Sequence, residues 1–140
     1  MKTVSKLQRR RGQATVELAL VTPLLMIIVV GIFEFGRAWN EKQVITNAAR
    51  DGARIAALTR NNPTIADDSA THTIQRTLAT AGIALPTGQP VWSGFKDNTG
   101  TPVTVQLSIP YTFTFLGPLL QWTTGRSNIN LTTQFTMRNE

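Results

Sequence analysis

Glu17 makes the clearest chemical demand on its surroundings, because its carboxylate heads an apolar run, residues 18–33, that contains no other charge. Insertion scales put a charged side chain at mid-bilayer at roughly 2.5–3.5 kcal/mol, so an acid in such a helix is a working residue by default. Upstream lies a basic leader, Lys6-Leu7-Gln8-Arg9-Arg10-Arg11-Gly12, with Gly12 five residues before Glu17. One other grouping holds catalytic residue types: Asp67, Asp68, Ser69 and His72, within six residues. Helical spacing alone assembles no nucleophile, base and orienter from them. His72 is the single histidine, with no second His or Cys ligand nearby, and reads as a surface or interface side chain. The absence of cysteine excludes thiolate catalysis, disulfides and Cys-based metal sites. No phosphate loop, nucleophile elbow, metal-ligand spacing or paired-carboxylate arrangement is found either. The sequence therefore predicts no enzyme, no metal and no cofactor.

The elements that position Glu17 follow from charge and length. The chain carries a net charge of +6, but Lys2, Lys6, Arg9, Arg10 and Arg11 all precede Gly12, leaving nine basic against eight acidic residues after it. No basic stripe remains for nucleic acid. Arg9, Arg10 and Arg11 are instead a topology signal: positive residues stay cytoplasmic, which predicts a single-pass, N-in, C-out protein of the cytoplasmic membrane. Residues 18–33 make about 24 Å of helix against a hydrocarbon core of about 30 Å. The span must therefore borrow Ala14 to Glu17 on one side and Phe35 and Gly36, beyond Glu34, on the other, leaving both acids near interfaces. Pro23 predicts a kink or local melting. Two plainer readings use the same stretch. One is a secretory signal peptide cut near Gly36, Arg37 and Ala38, although its apolar region exceeds the usual length of about 7–15 residues and Glu17 goes unexplained. The other is an anchor that is never processed.

The leader and apolar run resemble the class III signal of type IV-type prepilins, in which a peptidase cuts after the glycine and the glutamate is retained. Four segments are similar to the TadE family, the pseudopilin-like proteins of tight-adherence (Flp) pilus systems. They are Arg10-Arg11-Gly12-Gln13-Ala14-Thr15-Val16-Glu17-Leu18-Ala19-Leu20, Pro23-Leu24-Leu25, Glu34-Phe35-Gly36-Arg37-Ala38 and Ala48-Ala49-Arg50-Asp51-Gly52-Ala53-Arg54. The close resemblance covers about residues 9–58; beyond it only the order of elements and the closing Met137-Arg138-Asn139-Glu140 agree. The resemblance implies cleavage between Gly12 and Gln13 by a prepilin peptidase, and pairing of Glu17 with the freed amine of an adjacent subunit. It implies as partners that peptidase, other pilin or pseudopilin subunits, the inner-membrane assembly platform and the lipid bilayer, with no nucleic acid. The implied function is a minor-pilin-like part in pilus assembly, supporting adhesion and biofilm. The rival is a membrane-tethered extracytoplasmic binding or adaptor module outside any filament.

One hundred and forty residues allow one domain with a modest core. The helical pattern runs on to Leu58, with Val44, Ala48, Gly52 and Ile55 on one stripe and Ile45, Ala49, Ala53 and Ala56 beside it. Arg50, Asp51 and Arg54 fall on the solvated face. A second helix is expected from Thr64 to Ala81 with Gly82 as its stop, burying Ile65, Ile74, Leu78 and Ala70 or Ala81, with Asp67 and Asp68 near its N-terminus. From Pro90 the period becomes two. Val91, Trp92 and Phe95 mark a short strand, and Lys96 to Gly100 a turn. Odd-numbered positions from Val103 to Phe115 and from Ile129 to Met137 should face the helices from two longer strands. Pro110 requires a bend or an edge, and Leu116 to Trp122 reads as an apolar loop that covers the core end or dips toward the membrane or a neighbour. The fold class is α+β and pilin-like: a long N-terminal transmembrane helix continuing into a soluble domain with a second helix and a small antiparallel sheet. The segments are 1–12 as leader, 13–36 as transmembrane helix and 37–140 as extracytoplasmic domain.

Overall fold

The computed structural model describes residues 3–59, 63–94 and 98–139, and the side chains of 12–59, 69–94 and 98–139. The side chains of Arg9, Arg10, Arg11, Ile65, Asp67 and Asp68, and residues Phe95, Lys96 and Asp97, lie outside the described residues. Six elements follow in order: α1 (Thr3–Thr59), α2 (Pro63–Ala79), β1 (Val91–Ser93), β2 (Pro102–Thr112), α3 (Gly117–Thr124) and β3 (Asn128–Arg138). The class is α+β, as the change of period predicts.

α1 is one unbroken helix of 57 residues with Pro23 inside it, so the local melting expected there is not found. Thr22 Oγ1, one residue before Pro23, donates to the Leu18 carbonyl at 2.7 Å. The helix has two regimes. Leu18, Leu20, Leu24, Leu25, Met26, Ile27, Ile28, Ile32 and Phe33 are all exposed, and none of the apolar stretch is buried against protein. This is the one helix, among the described residues, long and apolar enough to cross a membrane. Further along, Ile45, Ala48, Ala49, Gly52, Ala53 and Ala56 are buried. Small side chains there let two other elements approach the same helix.

α2 starts with proline at its first position, where the missing N–H has no helical acceptor anyway. It ends earlier than Ala81. Gly82 takes φ +71°, its N–H reaches the Ala79 carbonyl, and the Ile83 N–H reaches back to Leu78, which is a Schellman stop. Ala70, Ile74 and Leu78 are buried and Ala81 is exposed.

The sheet is antiparallel in the order β1-β2-β3. β2 pairs with β3 along its whole length, Val103 opposite Met137 and Tyr111 opposite Ile129, while β1 covers only Thr104 to Gln106. Val103, Val105, Leu107, Ile109 and Tyr111 are buried and their even-numbered neighbours are not. On the outer face hydroxyls pair across the strands, Thr104 with Thr136 at 2.9 Å and Ser108 with Thr132 at 3.2 Å. The Ser108 N–H points to the β1 side, where it reaches Gln89 Oε1. Backbone alternation puts the position of Pro110's missing donor on that side too, beyond the end of β1, so Pro110 sits at an edge as expected.

Three expectations need correction. β2 stops at Thr112, so Phe115 is not a core strand residue; it is 68 % exposed. Ile129 and Met137 lie at the ends of β3 and stay largely exposed, whereas Thr133 at its middle is buried. The helices cover the centre of the sheet and not the ends of an 11-residue strand. Leu116 to Trp122 is not a loop: it forms most of α3, which has Pro118 in its first turn and ends at Gly125 with φ +74°. Eight residues are too few to show a helical period, but proline at the start and glycine just past the end are helix punctuation.

At Gly52 α1 and α2 approach closely. A Cβ there would stand 2.5 Å from Cγ1 and Cδ1 of the buried Ile74 and 3.6 Å from the Trp92 ring. Overpacking costs about 1–3 kcal/mol, against about 1 kcal/mol gained in helix propensity. Gly52→Ala should therefore lower the thermal unfolding midpoint of the detergent-solubilised protein, and Ile74→Val should restore part of the loss.

Candidate functional site

Gly12, Gln13, Val16, Glu17 and Leu20 line one flank of α1, as positions i, i+1, i+4, i+5 and i+8 of a helix must. All five are exposed. A Cβ added at Gly12 would meet nothing within 4 Å, so the fold itself leaves room for a side chain at that position. Glu17 has no ion pair among the described residues. The structure thus gathers the expected cleavage and pairing residues on one open face. His72 is exposed on α2 and Ser69 is half-buried, with the Ser69 carbonyl accepting from Thr73 Oγ1 at 2.8 Å.

A second acid forms a site that sequence reasoning placed at the outer interface as an ordinary end of the span. Glu34 is only 1 % exposed. The Thr114 N–H donates to Glu34 Oε2 at 3.0 Å and Oε1 at 3.2 Å, and the Phe115 N–H donates to Oε1 at 3.3 Å. The Arg37 guanidinium, one turn on, lies 3.9 Å from Oε1 and donates to Thr114 Oγ1 at 3.2 Å. Tyr111 Oη reaches the Glu34 carbonyl at 3.4 Å, and its ring meets Phe113 edge-on at 5.2 Å. Backbone amides leaving the end of β2 have no strand partner, and Glu34 supplies one. The acid is held because donors surround it, not because it borders water. In the sequence the signals are the Glu34/Arg37 spacing of three and the polar Thr112 and Thr114. The decisive donors are backbone groups eighty residues away, which no side-chain pattern reveals.

Beyond the clamp a polar seam continues along α1 at spacings of four. Lys42 Nζ donates to the Thr132 carbonyl, Thr46 Oγ1 and Thr133 Oγ1 lie 3.3 Å apart, and the Arg50 guanidinium stacks 5.3 Å above the Phe135 ring. Arg50 is exposed as expected, yet it is a contact to β3 and not simply a solvated charge.

Burial raises the Tyr111 phenol above its ordinary pKa; the nearby Glu34 and Glu41 add to this and Arg37 opposes it. A raised phenol keeps its proton longer in the folded state, so its contribution is complete below pH about 10. That contribution is lost as pH rises through the folded value. The unfolding midpoint should fall above pH about 10, less steeply in Tyr111→Phe. Glu34→Ala strands two amides and should cost about 2–3 kcal/mol, on the scale of hydrogen bonds to a charged group. Glu34→Gln, which keeps an acceptor, should lose less in the same denaturant titration.

No curated protein and no solved structure matches the chain. Residues 12–54 match the family model described as TadE-like protein, which bears out the resemblance over α1 from Gly12, through Glu17 and the Glu34/Arg37 pair, to Arg54.

Proposed function

We propose that this protein is a pseudopilin-like component of tight-adherence pilus assembly, cut by a prepilin peptidase between Gly12 and Gln13. The observation that carries the reading is Glu17. It is an exposed acid without an ion pair among the described residues, at the head of an unburied apolar helix and five residues after an unobstructed glycine. Coupled with a family match that begins at Gly12, this favours a helix that is shortened and then packed against others. Cleavage would make Gln13 the new terminus, on the same face as Glu17. A free amine and a carboxylate from neighbouring helices each relieve the other's desolvation in an apolar bundle. The α1 span sits in the cytoplasmic membrane with the leader inside and residues 37–140 outside, and the rest of the pilus machinery supplies the partners. The chain acts by assembly and not as an enzyme.

The Glu34 clamp weighs against removal as an ordinary signal peptide. A cut leaving Trp39 as the first residue would delete Glu34 and Arg37 and strand the amides of Thr114 and Phe115.

Intact mass of the membrane-extracted protein tests the reading. A mass for residues 13–140 is expected, full-length protein should persist in Gly12→Leu, and a mass for 1–140 or for a start at Trp39 would refute cleavage after Gly12. Glu17→Ala should insert and be cut normally yet give few or no pili and weak surface attachment. Normal piliation in that variant, together with normal pili in a deletion strain, would favour the tethered-adaptor reading.

A further inference from the structure

α3 has a composition unlike the surface it occupies. Its sequence, Gly117-Pro118-Leu119-Leu120-Gln121-Trp122-Thr123-Thr124, contains no charge, and of these only Gly117 is buried. Trp122 is 84 % exposed, Leu119 41 %, and the preceding Phe115 68 %. A cluster of large apolar side chains on one short segment marks a contact surface, unlike scattered single ones.

Its place in the fold says what it contacts. Phe115, Leu116 and Leu119 face Met26, Ile27 and Val30 of α1 across a hollow of about 300 Å³. Those α1 residues belong to the apolar run, four to eight positions before Glu34, which is about 6–12 Å down the helix at about 1.5 Å per residue. The chain leaves β2, passes the Glu34 clamp at Thr114 and Phe115, and descends beside the apolar helix.

We propose that α3 is a second membrane contact, lying with Phe115 in the outer leaflet of the bilayer that α1 crosses, its Leu119 and Trp122 among lipid. The inference rests on the spanning role of α1. The depth matches the about 5–10 Å to which interfacial helices bury their apolar faces. The threonine hydroxyls and the C-terminal turn of α3 are satisfied within it, as hydrocarbon requires. Thr123 Oγ1 donates to the Leu119 and Leu120 carbonyls at 3.0 and 3.2 Å, and Thr124 Oγ1 donates to Leu120 at 2.8 Å. The Gly125 N–H closes on the Gln121 carbonyl. The next charge, Arg126, follows directly and is exposed, positioned for its long stem to reach headgroups. Lipid fits this face better than a protein partner because the surface is continuous with that of the apolar helix and carries no charge.

Fluorescence quenching in vesicles of phosphatidylcholine brominated on the acyl chain tests this with the full-length protein. The three tryptophans are Trp39, Trp92 and Trp122, so Trp39→Phe with Trp92→Phe isolates Trp122, and Trp39→Phe with Trp122→Phe isolates the half-buried Trp92. Ile28→Trp in a background lacking all three reports on the span. Trp122 should be quenched about twofold or more beyond Trp92, as an interfacial tryptophan in contact with acyl chains. If Trp92→Phe unfolds the domain, the quenching lost on Trp122→Phe in the otherwise native chain gives the same readout. Quenching at Ile28→Trp without quenching of Trp122 would overturn the proposal while keeping the span. A photocrosslinker at position 122 that then captured only another subunit would assign the face to protein. No quenching at either position would overturn the span and the α3 contact together.

Discussion

Glu34 joins the two parts of the molecule. Its carboxyl oxygens take the amides of Thr114 and Phe115 at the point where β2 has run out of strand partners. A buried acid is costly alone and so are two orphan amides, but together they form charge-assisted bonds. The consequence is geometric. The end of the central strand is fixed to the helix just past the apolar run, and α3 is directed down along that run. Arg37, Lys42, Thr46 and Arg50 extend the attachment along the following turns of α1.

α1 carries two kinds of surface on one unbroken backbone. Its first part leaves its large apolar side chains exposed apart from the half-buried Val30, whereas its last part buries alanine and glycine under α2 and the sheet. The change occurs at residues 34–38, where Glu34 and Ala38 are buried and Phe35, Gly36 and Arg37 are exposed. The exposed Phe35 and Trp39 rings stack at 6.3 Å there, just past the apolar run. Small residues in the second part bring the helix close enough to touch α2 and β2 at once, as Gly52 does at Ile74 and Trp92.

Periodicity carried most of this fold. The alternation over β2, the small-residue stripes of α1 and the stop at Gly82 were all readable, because each is a repeated or punctuated local signal. α3 was missed because eight residues give no period and its apolar content resembles a covering loop. Phe115 was misassigned because alternation continues in the sequence past Thr112, where the backbone turns toward Glu34. The proposed cleavage and pairing residues rest on the resemblance, whose family model matches residues 12–54. The Glu34 clamp was not readable, since its donors are main-chain amides of a distant segment and an acid after an apolar run looks like the ordinary end of a span.

The two acids that bracket the apolar run sharpen the functional reading by contrast. They stand seventeen residues apart, about 25 Å along the helix at about 1.5 Å per residue. The fold surrounds Glu34 with two amides and an arginine and leaves it 1 % exposed. It offers Glu17 no ion pair among the described residues. A chain that depended on neither acid beyond topology would have no reason to keep Glu17 at the head of an apolar helix, where a neutral residue inserts more cheaply. Under the proposed function the donor for Glu17 lies on a neighbouring helix that brings a positive charge to the same depth. A processed pilin N-terminus provides that charge without placing a lysine or arginine in the bundle.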